Sequence, residues 1–298
     1  MIRPGQVASI ACAMFVASTA SGVAQQRPLV TEDPEVIGAG RILLEGGLTH
    51  GRDVFLPASG LHGDLTTLPE LGVSIGLGSI VEAQIDGPVW QRMHVTDREP
   101  GPLSDLLDFD GDDTGSTGDV VVGTKVRLLS ETPGRPAIGL RMATKLPNAS
   151  NESGLGLDTI DFHSALLLGK TVRSVRVVGN FGLGILSDPT NGTRQNDVFT
   201  YGLSLARALT NQFEVVSEVN GRVNTRSDNT PPGTESRSVV RVGARFTQAT
   251  VRLDTALLLG LTSRDPSWGF TFGATYVFNA ITAAGSSRRS PNTLSPLT

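Results

Sequence analysis

No apolar run in this sequence is long enough to cross a membrane as a helix. Mean hydropathy is close to zero, and no hydrophobic stretch approaches the roughly 20 residues that a membrane-spanning helix requires. The longest apolar runs in the body of the chain, Ala165–Leu168 and Ala256–Leu259, have the length expected of strands. A protein built from transmembrane helices is therefore excluded.

Cysteine is nearly absent as well. The single cysteine, Cys12, lies in a segment that resembles a secretory signal, with Arg3 ahead of an apolar run and small residues up to Ala24. We expect residues 1–24 to be a signal peptide. The processed chain would then cross an oxidising compartment without forming disulfides.

Two other classes of protein are disfavoured by the same region. A lipoprotein would need a leucine-like residue three positions before Cys12, where Ser9 stands. Removal of Arg3 with the signal changes the formal net charge from −4 to −5. A small, dispersed negative charge gives no indication of nucleic acid as a partner.

The segment Trp268–Phe278 shows the pattern that dominates the rest of the chain. Its even positions are apolar or aromatic, namely Trp268, Phe270, Phe272, Ala274, Tyr276 and Phe278. Its odd positions are small or polar except for Val277. A period of two with aromatics near both ends is typical of a transmembrane barrel strand, whose apolar face contacts lipid.

Eleven further segments with strand character precede it. We predict strands over 40–49, 67–77, 80–89, 119–129, 137–146, 158–169, 174–186, 197–208, 212–224, 237–247, 250–261 and 268–278. Short links alternate with long, polar ones, among them 50–66 and 90–118. This alternation is the bacterial outer-membrane arrangement, with the short turns in the periplasm. The prediction is an all-β fold, an up-and-down antiparallel transmembrane β-barrel of about 12 strands.

A soluble β-protein is the alternative to a membrane barrel, since antiparallel sheets in water also alternate. About eight strands already make the largest barrel that side chains fill. Twelve strands would enclose more volume than these modest apolar faces could occupy. A membrane barrel avoids this problem, because its charged side chains point into the lumen and its apolar side chains point towards lipid.

Strand parity then assigns two sets of side chains. The expected lumen-lining residues are Arg41, Glu45, Glu82, Asp86, Lys125, Arg127, Arg141, Lys145, Asp161, His163, Arg176, Glu214, Glu218, Arg222, Arg241, Arg245, Arg252 and Asp254. The expected aromatic girdle is Trp268, Phe270, Tyr276 and Phe278. Inward charges need water or opposite charges. They indicate either a hydrated pore or a closed network of ion pairs.

Several stretches resemble one family. These are Arg27–Pro34, Leu71–Gly76 with Glu82 after the turn, Gly118–Lys125 and Met142–Ser150. They are similar to the outer-membrane β-barrel family of the MetA pathway of phenol degradation. The resemblance implies an outer-membrane transporter or channel and supplies no catalytic or binding residues. One departure is the stretch of some 20 residues after Phe278, where such barrels commonly end.

Motifs for other chemistry are weak. Asp108, Asp110, Asp112 and Asp113 share a glycine-bearing loop, but the glycine and glutamate of a calcium-binding EF-hand are missing from their positions. A solvated acidic loop is the simpler interpretation. His163 and Ser164 point to opposite faces of one strand, so they cannot form a catalytic pair. His50, His62 and His94 fall in predicted outer loops without a recognisable nucleophile.

We therefore predict a signal peptide over 1–24, a periplasmic lead-in over 25–39, a barrel over 40–278 and a disordered tail over 279–298. The expected function is a channel for passive passage of small solutes, aromatic or hydrophobic ones among them. The alternatives are a non-conducting structural or adhesive barrel and an outer-membrane hydrolase. We expect no catalytic activity, metal or cofactor. The expected partners are outer-membrane lipid, periplasmic chaperones, the barrel-assembly machinery and a small solute, without nucleic acid.

Overall fold

The computed structural model describes residues 27–226 and 229–280. The strands within these ranges are β1 Arg41–Leu56, β2 Leu61–Gly76, β3 Val81–Pro88, β4 Gln91–Arg98, β5 Asp113–Ser116, β6 Val121–Leu129, β7 Ala137–Lys145, β8 Asp161–Val172, β9 Val175–Ser187, β10 Gln195–Ala208, β11 Phe213–Asn224, β12 Arg237–Gln248, β13 Val251–Gly260 and β14 Trp268–Asn279. A short 3-10 helix spans Ser104–Leu106. Across these residues no helix has the length and apolar character needed to cross a membrane.

Twelve of these strands close into an antiparallel cylinder. Each strand pairs with its neighbours in the order β1, β2, β3, then β6 through β14, and β14 returns to β1. At the seam, Ile42 pairs with Phe278 and Leu44 with Tyr276, as expected for a closing strand. The predicted twelve-stranded, up-and-down antiparallel barrel is confirmed.

Two regions that we predicted as loops contain strands in the structure. The region 50–66 continues the β1–β2 hairpin, so that both strands are 16 residues long. The region 90–118 contains β4, the 3-10 helix and β5, with β4 paired to the first half of β2. Both regions are polar and glycine-bearing, because strands that extend beyond the barrel wall contact water and lose the apolar alternation.

The two faces of the wall differ as predicted. Leu183, Leu203, Leu257 and Phe272 point outward and are 48–64% exposed. The alternate positions point inward and carry small or charged side chains. An apolar outer surface with a polar interior is what a barrel in a bilayer requires.

The cylinder has two different ends. The end with the short links, such as Gly78–Ser79 and Leu209–Gln212, is called the turn end here. The other end, which carries β4, β5 and the long connections, is called the loop end. In outer-membrane barrels the short turns face the periplasm.

The segment 27–37 runs inside the cylinder. This differs from the periplasmic lead-in expected over 25–39, and the reason is the set of ion pairs described below. The signal peptide over 1–24 and nearly all of the tail over 279–298 lie outside the described residues, apart from Asn279 and Ala280.

Candidate functional site

The N-terminal segment, defined as residues 27–37, crosses the lumen and approaches every strand of the cylinder. It begins beside β1, β2 and β12 to β14, passes β11 and β10, and then follows β9 back to β6 and β3. Its path is therefore a belt across the barrel interior, and each wall strand supplies part of its binding surface.

Glu32 is the most deeply buried charge of the segment. Its carboxylate lies 3.2 Å from Lys125 Nζ and 2.8 Å from Arg141 Nε. Lys125 is 1% exposed and also lies 3.0 Å from Glu82 Oε1. Gln84 donates to both Glu32 and Glu82. A cation this deeply buried is tolerated because two carboxylates compensate it.

The next acidic residues of the segment bind neighbouring strands. Arg176 on β9 donates from Nε and Nη2 to the two carboxylate oxygens of Asp33, both at 2.8 Å. Arg127 on β6 donates to Glu35 at 2.5 Å. The bidentate geometry of Arg176 is the arrangement by which a guanidinium binds a carboxylate most strongly.

The backbone of the segment is held as well. Val30 and Thr31 donate their N–H groups to the Glu218 carboxylate at 2.8–3.0 Å. Ile37 donates its N–H to Glu82 at 2.8 Å. These bonds satisfy backbone groups that would otherwise be orphaned in the lumen.

Arg27 occupies space that inward glycines leave open. A Cβ added at Gly47 or Gly273 would lie 2.2 Å from its guanidinium. Arg27 lies 2.9 Å from Glu70 and 3.6 Å from Asp254, and donates to Thr271 at 2.7 Å. The small inward face of β14 thus makes room for a side chain of the segment.

An apolar contact and two glycines end the segment. Ile37 is 1% exposed and packs with Leu43 and Val277 of the wall. Gly38 and Gly40 follow with φ angles of 89° and 72°, a region that glycine adopts without steric cost. The chain therefore turns sharply between the segment and β1.

The predicted lumen residues all lie on the inward side of their strands, and most are paired. Beyond the contacts with the segment, the wall pairs are Glu45–Arg252, Asp86–Arg141, Lys145–Asp119, Lys145–Asp161, Glu214–Arg245 and Glu218–Arg241, at 2.8–3.7 Å. His163 lines a cavity described below. Of the two predicted alternatives, the described interior is closer to the closed ion-pair network.

Three inward arginines have no carboxylate within 4 Å among the described residues. Arg222 donates to the carbonyls of Gly233 and Glu235. Arg237, which the parity argument left out, donates to the Phe55 carbonyl at 3.0 Å. Arg41 lies at the turn end and lines a cavity there.

Two cavities lie in the cylinder, one beside the segment and one at the turn end. The larger, about 490 Å³, lies on the loop side of the segment and is lined by Arg27–Val30 together with wall residues that include Arg141 and Arg241. The smaller, about 310 Å³, lies at the turn end beside Arg41 and Arg252. Arg27 and Glu45 line the larger cavity, and Arg252, the ion-pair partner of Glu45, lines the smaller one.

At the loop end, the extended hairpin packs against other loops through apolar contacts. Val54, Leu61, Met93 and Val95 form a buried cluster, with Leu107 and Leu155 packed against it. Ser59 donates to the Gly154 carbonyl at 2.8 Å. These contacts join the loop-end connections into one packed unit, which we call the loop-end cap and define by these residues.

The connection from β9 to β10 contains a carboxylate with a perturbed pKa. Burial raises the pKa of Asp188, but two hydrogen bonds from Thr190 and the nearby Arg194 guanidinium outweigh it, so that the pKa lies below the ordinary value. The ionised carboxylate of Asp188 therefore stabilises the connection between β9 and β10.

The remaining candidates form no reactive cluster. His50 lies on β1 rather than in a loop and contacts the outward rings of Trp268 and Phe270. Tyr276 and Phe278 stack at the other end of the same strand face. His62 and His94 lie on β2 and β4 beside Glu99 and Asp113. Among the described residues, no serine bonds to a histidine and no group of three or more potential ligands could hold a metal.

Sequence reasoning did not identify the acidic residues of the segment as partners of the cations in the lumen. A signal was present: Glu32 and Asp33 precede Pro34 and Glu35 follows it, immediately before a wall with more inward cations than carboxylates. Parity arguments apply only to strands, so a non-strand segment could not be assigned a side.

Solved structures share this architecture. The COG4313 outer membrane channel from Pseudomonas putida F1 is 15% identical, with a TM-score of 0.61 covering 83% of this chain and 98% of that one. The NanC porin is 10% identical, with a TM-score of 0.50 covering 79% of this chain and 98% of that one. Likeness at these identities shows the fold, that of outer-membrane barrels.

Comparisons of sequence give one positive result. A search of curated protein sequences finds no match. Residues 25–278 match the family described as "Putative MetA-pathway of phenol degradation". The chain, an outer-membrane β-barrel, belongs to this family.

Proposed function

We propose that this barrel is a channel for passive passage of small solutes across the outer membrane, and that the N-terminal segment closes it in the state described here. The observation that carries the proposal is the cavity of about 490 Å³ that the segment lines inside the barrel, with a second cavity at the turn end. A purely structural barrel has no need of such a cavity beside the segment.

The larger cavity supports small solutes with some apolar surface. Its volume falls within the range of pockets that bind small molecules. Leu29, Val30 and Leu258 contribute apolar surface beside charged groups. The phenol-degradation description of the family makes aromatic compounds the first solutes to test. In this proposal the chain catalyses no reaction and holds no cofactor.

Passage requires the segment to leave its position. The contacts that hold it are mostly charge pairs, and those of Asp33 and Glu35 are partly accessible to water. The Gly38–Gly40 turn allows the segment to rotate about its junction with β1. In a cell, periplasmic chaperones and the barrel-assembly machinery would insert the chain into lipid.

Conductance tests the proposal directly. The full chain is reconstituted in planar bilayers and in liposomes, alongside the variant Glu32→Gln/Asp33→Asn/Glu35→Gln. We expect rare openings from the wild type and frequent openings from the variant, because its segment has lost the charges that bind the wall. A folded variant that never conducts and admits no phenol into liposomes would contradict the proposal.

A non-conducting structural barrel is the second candidate. The occupation of the lumen by the segment favours it, since every wall strand takes part in the blockage. The same experiment discriminates: a structural barrel stays closed when the three carboxylates are neutralised and loses thermal stability instead.

A further inference from the structure

We infer that the open channel selects small anions, and that the acidic residues of the N-terminal segment occupy the places that such anions take in passage. This rests on the proposed function, because selectivity has meaning only for a conducting state. The inference comes from an asymmetry in how the inward charges are compensated.

Every inward carboxylate of the wall lies within 4 Å of a cation. These carboxylates are Glu45, Glu70, Glu82, Asp86, Asp119, Asp161, Glu214, Glu218 and Asp254. The inward cations are not all paired in this way. Among the described residues, Arg41, Arg222 and Arg237 have no carboxylate within 4 Å. While the segment is in place, the wall charges without a partner at that distance are therefore all positive. Glu70 and Asp254 pair only with Arg27 of the segment, so these two carboxylates lose their partner when it leaves.

The overall balance points the same way. The wall carries eleven inward cations, namely Arg41, Lys125, Arg127, Arg141, Lys145, Arg176, Arg222, Arg237, Arg241, Arg245 and Arg252, against the nine carboxylates above. The segment 27–37 carries one arginine and three carboxylates. With Glu131, which lies in the β6–β7 link and binds Arg176, the wall has an excess of one positive charge, and the segment has an excess of two negative charges.

The uncompensated arginines lie where a solute enters and leaves. Arg222 and Arg237 face each other in register across β11 and β12 at the loop end. Like charges directly opposite one another are unfavourable in a sheet, yet no carboxylate separates them. Glu235 and Asp265 are in the same region but beyond salt-bridge distance of both arginines. Arg41 lies at the turn end.

Arginine pairs at a pore entrance attract anions and repel cations, because the low-dielectric wall focuses their field. Inside the lumen, the contacts of the segment show how the wall binds a carboxylate. Asp33 is bound by Arg176 through two parallel hydrogen bonds, and Glu32 is bound by both Lys125 and Arg141. When the segment leaves, each of these cations loses a carboxylate partner, and a passing carboxylate or halide can replace it.

The test must open the channel without changing its charge. Ile37→Ala weakens the apolar anchor of the segment and leaves every charge in place. The full-length variant is measured in planar bilayers under a KCl gradient, and the reversal potential gives the permeability ratio of chloride to potassium. We expect a ratio above one, falling by about half when Arg222→Gln and Arg237→Gln are added.

Arg207→Gln in the same background is the matched control. Arg207 is an arginine exposed on the outer side of β10, so its loss changes the net charge without changing the lumen and leaves the ratio unaltered. A ratio below one, or one that ignores Arg222 and Arg237, would overturn the inference while leaving a channel. Failure of the folded Ile37→Ala and Glu32→Gln/Asp33→Asn/Glu35→Gln variants to conduct would overturn the proposed function, and the inference with it.

Discussion

The N-terminal segment and the loop-end cap are held in place in different ways. Towards the turn end, the segment 27–37 lies in the cylinder and is held mainly by ion pairs with the wall, with Ile37 as its one buried apolar anchor. Beyond the loop end, the cap is held by an apolar cluster around Leu61 and Met93. The larger cavity lies between the segment and the cap.

The difference separates a part that can move from a part that holds its shape. The cost of removing two charges from water offsets most of the attraction in a buried ion pair, so an intact pair contributes little net stability. Apolar side chains have no such substitute in water. We therefore assign gating to the segment and a constant entrance to the loop-end cap.

Lys125→Met should disturb the segment most. The substitution leaves Glu32 and Glu82 facing each other in a buried site, and loss of one partner of a buried pair costs about 3–5 kcal/mol. Hydrogen exchange of the Ile37 amide, which donates to Glu82, should accelerate strongly. Arg173→Met, at an exposed turn position, is the control. Unchanged exchange would show that the pair does not hold the segment.

Leu61→Ala should destabilise the loop-end cap and leave the segment in place. Leu61 is fully buried, and truncating such a leucine costs about 2–5 kcal/mol. Limited proteolysis within 99–112 should become faster, while exchange of the Ile37 amide stays the same. The control is Leu106→Ala, since that side chain is 48% exposed. Accelerated exchange at Ile37 would contradict the independence of the two regions.

Ile37→Ala should weaken the segment by a smaller amount, because its backbone bond to Glu82 remains. Loss of the buried side chain still costs about 2 kcal/mol or more. Channel opening and exchange of the Val30 and Thr31 amides should increase together. An increase in exchange without any opening would mean that another part of the lumen is closed.

Gly273→Ala should act on one end of the segment only. The added Cβ would overlap the Arg27 guanidinium, so Arg27 must shift from Glu70 and Thr271. Gly78→Ala is the matched control, because nothing lies within 4 Å of its Cβ position. Exchange of the Val30 amide should increase in the first variant and not in the second, with the Ile37 amide unaffected in both.

Acid should loosen the loop after β9. The folded pKa of Asp188 is lowered, so its stabilisation is fully present above the unfolded value of about 4. The stabilisation is lost as pH falls through the depressed folded pKa. Proteolysis at 189–193 by an acid-tolerant protease should rise below that value, and Asp188→Asn should remove the pH dependence. A loop that loosens already near neutral pH would contradict this assignment.

The wall was predictable and its contents were not. The strand over 137–146 is Ala137–Lys145, and the seam between Ile42 and Phe278 follows from parity and an even strand number. A period of two is a local property of each strand. The position of Glu32 depends instead on an amide from β3 and cations from β6 and β7, which are far apart in the chain.

The long hairpin escaped prediction for a related reason. Beyond Gly47, β1 and β2 leave the pattern set by lipid, and register shifts interrupt their pairing. Val54, Leu61 and Leu65 are apolar residues in an otherwise polar stretch, which is a sign of a buried cluster. Its partners, Met93 and Leu155, lie on other elements, so no single stretch of sequence shows the cap.

A reversible lock on the segment tests the central claim most directly. The Cβ position at Gly202 is 3.4 Å from Thr31 Cβ, close to the separation of about 3.5–4.5 Å that a disulfide needs. In Thr31→Cys/Gly202→Cys, with each single variant as control, solute flux into liposomes should stop on oxidation and return on reduction. Flux that is equal in the oxidised and reduced double variant would show that the segment 27–37 does not close this barrel.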